Sequence, residues 1–141
     1  MEKFREIIQA QGGNASIIER QDLLPSAPLN VDFTAKMDGI VQEVAPRTVG
    51  HGVIALRGGR RTMEDKIDPS VGFVITAKPG DEVRSGQPLA SIHALDEAGL
   101  KEGKRALGEA IRIGEEKPSF LPLVSVKITS EGKNTWERPD A

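Results

Sequence analysis

Apolar and polar residues alternate from Val31 to Met37, with Val31, Phe33, Ala35 and Met37 in register, the pattern of a half-buried strand. Asp38-Gly39 then predicts a two-residue hairpin turn, with Ile40–Val44 as the return strand. Pro46 ends that strand, and Thr48–Leu56 predicts a helix with Val49, Val53, Ala55 and Leu56 apolar and Gly58 as its stop. Gly50 and Gly52 weaken this helix by roughly 1 kcal/mol each relative to Ala, which points to close packing against a sheet. Val71–Ala77, Glu82-Val83 and Pro88–Leu95 predict further strands, separated by turns at Pro79-Gly80 and Ser85-Gly86. Residues 96–115 predict the longest helix, with Asp96 as N-cap and Leu100, Ala106, Leu107, Ala110, Ile111 and Ile113 on its apolar face. Lys117-Pro118 ends it, and Leu121–Ile128 predicts a last strand. Upstream, a helix over residues 2–11 carries Phe4, Ile7 and Ile8 on one face and stops at Gly12-Gly13. A short helix around Ser16–Arg20 and an extended connector at Pro25, Pro28 and Asn30 follow it. Residues 130–141 read as a loose polar tail, in which Trp136 either docks on a partner or stays unpacked. This order of elements predicts an α+β domain, mostly antiparallel, with a short glycine-bearing helix and one long amphipathic helix.

Composition narrows the function classes. At 141 residues the chain has room for one domain with a core, and one Trp, four Phe and no Tyr leave that core to aliphatic side chains. A net charge of −2, with both signs interspersed, argues against a nucleic-acid partner. No apolar run approaches the length of a membrane span, and the charged start Met1-Glu2-Lys3-Phe4-Arg5-Glu6 is unlike a signal peptide. The absence of cysteine removes disulfides and thiolate metal sites, and a cytoplasmic location is expected. His51 and His93 lie far apart without a carboxylate at metal-ligand spacing, so both read as structural residues. Neither a phosphate-binding glycine loop nor a nucleophile motif is present. No catalytic residue, metal or cofactor is therefore expected. The charges of residues 96–117 read as a solvated helix face.

The most distinctive stretch is the loop from Gly58 to Phe73, which sets two glycines and two arginines ahead of three acids. Its candidate functional residues are Gly58, Gly59, Arg60, Arg61, Asp65 and Asp68. Glycine admits close backbone approach, and guanidinium forks suit anions and carboxylates. Three roles stay open on the residues alone: contact with a substrate, closure of a cleft or domain boundary, or an internal salt-bridge network of the arginines with Asp65 and Asp68.

Taken in order, these motifs resemble the C-terminal domain of the thymidine and pyrimidine-nucleoside phosphorylases. The residues that carry the resemblance are Asp38-Gly39-Ile40-Val41, Val49-Gly50, Gly58-Gly59-Arg60, Asp65, Ile67-Asp68 and Val71-Gly72. Gly80-Asp81, Val83, Gly86, Leu89 and Ile92-His93 complete it, and Phe4 with Ala10-Gln11-Gly12-Gly13 resembles the end of the family's catalytic domain. The resemblance implies an α/β-hammerhead fold over residues 31–129, preceded by residues 1–30 from the end of the catalytic domain. It implies a parent enzyme that cleaves a pyrimidine (deoxy)nucleoside with phosphate as co-substrate, giving free base and pentose 1-phosphate. The family's phosphate and base sites have no counterpart in these residues, so the chain reads as a non-catalytic fragment, and no catalytic residue carries over. The implied partners are the parent's catalytic α/β and helical domains, in an enzyme dimerised through a region absent here. The resemblance also turns the Gly-Arg loop toward the cleft that closes on substrate. A biotinyl or lipoyl carrier shares the Pro79–Leu89 pattern, but Ala90–Leu95 lacks the lysine such a carrier needs at a hairpin tip. A free-standing binding module of the same fold is the remaining alternative.

Overall fold

The computed structural model describes residues 1–119 and 124–135. Its elements are α1 (Glu2–Ala10), β1 (Leu29–Thr34), β2 (Gly39–Val44), α2 (Pro46–Ala55), β3 (Gly72–Ile75) and β4 (Glu82–Val83). They continue with β5 (Pro88–Ala94), α3 (Glu97–Ala110), β6 (Ile111–Gly114), β7 (Val126–Thr129) and β8 (Gly132–Thr135). The fold is α+β, and every strand pair is antiparallel.

Two three-stranded sheets share the core, one in the order β1-β5-β3 and the other β4-β2-β6. The centre of the first is β5, whose Leu89, Ala90, Ile92 and Ala94 are buried. A bulge opposite Phe33 and Thr34 lets Leu89 and Ala90, neighbours in sequence, both be buried. The Leu89 carbonyl then accepts from the amides of Thr76 and Ala77 and from the Thr76 hydroxyl. Leu56 at the end of α2, Leu107 on α3 and Val41 on β2 join Leu89 and Ile92 as the largest fully buried side chains among the described residues.

Helices α2 and α3 meet where side chains are smallest. A Cβ on Gly52 would lie 2.7 Å from the Ala106 Cβ and 3.0 Å from the Phe73 ring. One on Gly103 would lie 2.8 Å from Ile92 Cγ2. The glycine of the short helix thus does mark close packing. Gly50, on the exposed side of α2, meets nothing within 4 Å.

Four expectations are corrected. First, β1 and β2 do not form a hairpin: β1 pairs with β5, β2 with β4 and β6, and residues 35–38 cross between the sheets. The Asp38 carboxylate accepts from the Ser85 amide at 2.8 Å, bracing that crossing. Gly39 is required by the approach of β6, since its Cβ would sit 2.7 Å from Ile113 Cγ2 and 2.8 Å from the Gly114 carbonyl oxygen. Second, α2 begins at Pro46, which occupies the first turn, where a missing N–H is harmless. Third, α3 ends at Ala110, and Ile111 turns extended to lead β6 along β2. Ile111, Arg112 and Ile113 alternate buried, exposed and half-buried, as β-branched residues on a sheet edge do. Fourth, Leu121 and Leu123 lie outside the described residues, and Val126–Thr129 forms a surface hairpin with Gly132–Thr135 instead of a core strand. Ile128 is 78% exposed there, and residues 130–135 belong to that hairpin, not to a loose tail. Trp136 lies outside the described residues.

The first helix behaves as its pattern requires. Gly12 takes φ +76°, and the Gly13 amide returns to the Ile8 carbonyl at 2.8 Å, closing α1. Downstream, two 3-10 turns at Ala15–Ile18 and Gln21–Leu23 replace the single short helix.

Two glycines on one helix provide a matched test of the packing. Gly52→Ala gains roughly 1 kcal/mol of helix propensity, yet it drives two Cβ atoms fixed to backbones into contact, an overpacking cost of about 1–3 kcal/mol. It should lower stability in chemical denaturation, whereas Gly50→Ala should raise it by roughly 0.5–1 kcal/mol. Ile92→Ala should cost roughly 2–5 kcal/mol. Equal effects of the two glycine substitutions would show that α2 and α3 are not in contact.

Candidate functional site

The chain leaves α2 through a tight main-chain cap. The Arg57 amide donates to the Ile54 carbonyl and the Gly58 amide to the Val53 carbonyl, at 3.0 and 2.9 Å. This places Arg57, not the glycine after it, in the left-handed region at φ +73°. A non-glycine residue there costs about 1–2 kcal/mol. Gly58 serves another need: its Cβ would lie 2.8 Å from Val53 Cγ1 and 3.2 Å from Val71 Cγ2. Gly59 is similarly tight, with its Cβ 2.8 Å from Ile54 Cγ1. The two glycines press the start of the loop onto the end of α2.

Two acids then shape the loop. The Asp65 carboxylate accepts from the amides of Arg61 (2.8 Å) and Thr62 (3.0 Å) and from the Thr62 hydroxyl (2.9 Å). These donors, the Thr62 amide foremost, hold its pKa below the usual carboxylate value. The Asp68 carboxylate accepts from the Ser70 hydroxyl and amide, at 2.5 and 2.8 Å, and the hydroxyl contributes most to lowering its pKa. The Asp68 amide donates to the Arg57 carbonyl at 3.0 Å, tying the far end of the loop back to its start. Both acids are therefore occupied by main-chain and hydroxyl donors.

Arg60 and Arg61 are exposed. Among the described residues neither has a carboxylate within 4.0 Å, and the ion pair beside the loop is Arg57 with Asp96 at 3.6 Å. The loop is thus ordered without an arginine–aspartate network. Between the loop and the start of α3 lies an open cleft of about 450 Å³, lined by Arg57, Arg61, Asp65 and Lys66 on one side and Asp96 and Glu102 on the other. Of the residues singled out in the sequence, Gly59, Arg61 and Asp65 line this cleft, while Gly58, Arg60 and Asp68 do not. Arg57, Lys66, Asp96 and Glu102 were missed. Asp96 was legible only as a helix cap, which it is, accepting from Gly99 at 2.8 Å. Nothing in the pattern brings its second oxygen to Arg57.

Elsewhere, His51 is exposed in a groove between α2 and α3, and His93 is half-buried on β5 opposite Asn30 and Gly72. Among the described residues no three His, Asp or Glu side chains converge as a metal site. Residues 88–94, where a carrier lysine would be sought, form a sheet centre instead of a hairpin tip.

The architecture is that of an α+β domain with one ordered polar loop and a charged cleft behind it. Residues 40–114 match the family described as pyrimidine nucleoside phosphorylase C-terminal domain. The chain belongs to this family. A pyrimidine-nucleoside phosphorylase of Staphylococcus haemolyticus (strain JCSC1435) is 34% identical over 131 residues, which cover 93% of this chain and 30% of that protein. The chain thus spans about three-tenths of the length of that relative. The loop and its cleft fall inside the matched region.

The Asp65 anchor predicts a pH response. A carboxylate whose folded pKa is depressed stabilises its structure above the unfolded pKa, near 3.9, and that contribution is lost as pH falls through the lower folded value. Amide exchange at Arg61 and Thr62 should therefore accelerate below about pH 4, beyond the intrinsic rate. Asp65→Asn should give fast exchange at neutral pH and remove the transition. Unchanged exchange in Asp65→Asn would mean that the loop is held by other groups.

Proposed function

We propose that this chain acts as the C-terminal domain of a pyrimidine-nucleoside phosphorylase. In that reaction phosphate attacks the anomeric carbon of a pyrimidine nucleoside, the glycosidic C–N bond breaks, and the free base leaves as pentose 1-phosphate forms. The observation that carries the reading is the alignment of 93% of the chain within 30% of a much longer phosphorylase. The chain's contribution in this reading is positional. It supplies an α/β-hammerhead body and presents the Gly-Arg loop to the cleft, while the groups that bind base and phosphate reside in the remaining domains, and the dimer contact with them.

Loop construction supports the division of labour. Asp65 and Asp68 order the backbone through amides and hydroxyls, so the guanidinium groups of Arg60 and Arg61 are left without a carboxylate partner among the described residues. A loop stiffened in this way places its arginines without their own charge being needed for folding. No cofactor is required by phosphorolysis, because phosphate itself is the nucleophile. A cysteine-free chain suits a reducing cytoplasm.

Two measurements test the reading. Pure chain incubated with thymidine and phosphate should release no thymine above background, and turnover at enzyme-like rates would overturn the positional role. Arg60→Ala should shift the chain's stability by no more than ~1 kcal/mol, yet lower kcat/KM in the full-length phosphorylase, since cleft closure sets reactant geometry. An Arg60→Ala chain that unfolds, beside a parent with normal kinetics, would make the arginine a structural residue.

A further inference from the structure

We propose that the cleft between the Gly-Arg loop and the start of α3 is an oxyanion site for a phosphate group, with Arg61 and Lys66 as its cationic ligands. Six ionisable groups line the cleft, three of each sign, and their local pairing decides what they can still bind. Asp65 accepts from two amides and a hydroxyl of its own loop. Asp96 caps α3 through one oxygen and meets Arg57 at 3.6 Å with the other. Glu102 accepts from Arg105 at 3.0 and 3.1 Å. Every carboxylate of the cleft thus has an internal partner, and so does Arg57. Arg61 and Lys66 have no carboxylate within 4.0 Å among the described residues, although the charge of Arg61 is felt at Asp65. The two charged side chains of the cleft that are left without an ion pair or hydrogen bond among the described residues are thus both cationic, although its formal charge sums to zero.

Geometry favours a tetrahedral anion. A guanidinium presents a planar fork, and an ammonium presents a compact charge with three donors. A phosphate group offers enough acceptor oxygens to engage both at once, where a carboxylate is used up by the fork. Asp65 also fixes the backbone of Arg61 and Thr62, so the guanidinium starts from a constrained anchor and less ordering entropy is lost on binding. Its negative charge beside the site tempers the attraction. The site is separate from the reacting phosphate of the preceding section, and binding by this chain is expected whether or not the phosphorylase reading holds.

The test is a titration of the 141-residue chain with inorganic phosphate at fixed pH and ionic strength, followed by amide and Arg Nε–H NMR. Saturable shifts are expected at residues 59–66 and 96–99 and at the Arg61 side chain. Arg61→Gln and Lys66→Gln should each weaken binding about tenfold, the loss of one partly solvated charge-assisted hydrogen bond. Lys66→Arg should retain it, and Arg47→Gln in the α2–α3 groove should leave it unchanged. Tighter binding of ribose 1-phosphate than of phosphate would identify a sugar phosphate as the ligand, and equal affinities inorganic phosphate. Shifts that fail to saturate, that are matched by acetate, or that persist in the folded Arg61→Gln/Lys66→Gln double variant would overturn the proposal.

Discussion

The contact of α2 with α3 across Gly52 and Ala106 is the constraint from which much of this architecture follows. Backbones can approach this closely only where one partner lacks a Cβ, and the Phe73 ring fills the remaining space from the sheet side. Gly103 repeats the arrangement against Ile92, so α3 lies down on the central strand of the first sheet. With both helices pinned to β3 and β5, the end of α2 and the beginning of α3 open on the same side of the molecule. The Gly-Arg loop and its cleft occupy that side. Loosening the helix contact would therefore move both walls of the cleft, although neither Gly52 nor Ala106 lines it.

The loop itself is organised by economy of partners. Main-chain amides cap α2, a main-chain bond from Asp68 to Arg57 closes the loop, and two aspartates bind amides and hydroxyls within a few residues. Such short-range bonds order a polar segment without burying charge, whose desolvation would be costly. The result is a rigid perimeter with exposed cations, which suits a surface that meets something else. Membership of the phosphorylase C-terminal domain family, with a relative over three times as long, supplies the context for such a surface.

Much of the fold was legible because it follows from local pattern. Asp96 is a cap in sequence and in structure, Gly12-Gly13 closes α1, and β5 reads directly from its aliphatic run. Failures cluster where a long-range partner overrides a local signal. Asp38-Gly39 has the chemistry of a hairpin turn, yet the glycine answers to β6, far along the chain. Ile111 continues the helical spacing of Leu107 and Ala110, but pairing with Val44 pulls it into a strand. In the candidate site the loop was visible from its glycines and arginines, whereas its opposite wall was not. Asp96 and Glu102 come to the cleft through packing of α3, and no periodicity encodes that. Arg57 was hidden because glycine is the residue ordinarily sought at a left-handed helix end.

That left-handed arginine bears on how such a domain diversifies. The anchor at each end of the loop is made by main-chain groups of residues 57, 58 and 68, whatever side chains lie between. Residues 60–67 therefore form a cassette spliced between two fixed posts, Gly59 belonging to the first of them. Its length and composition are open to drift, to grafting or to deliberate exchange, while the helices that frame it keep their places.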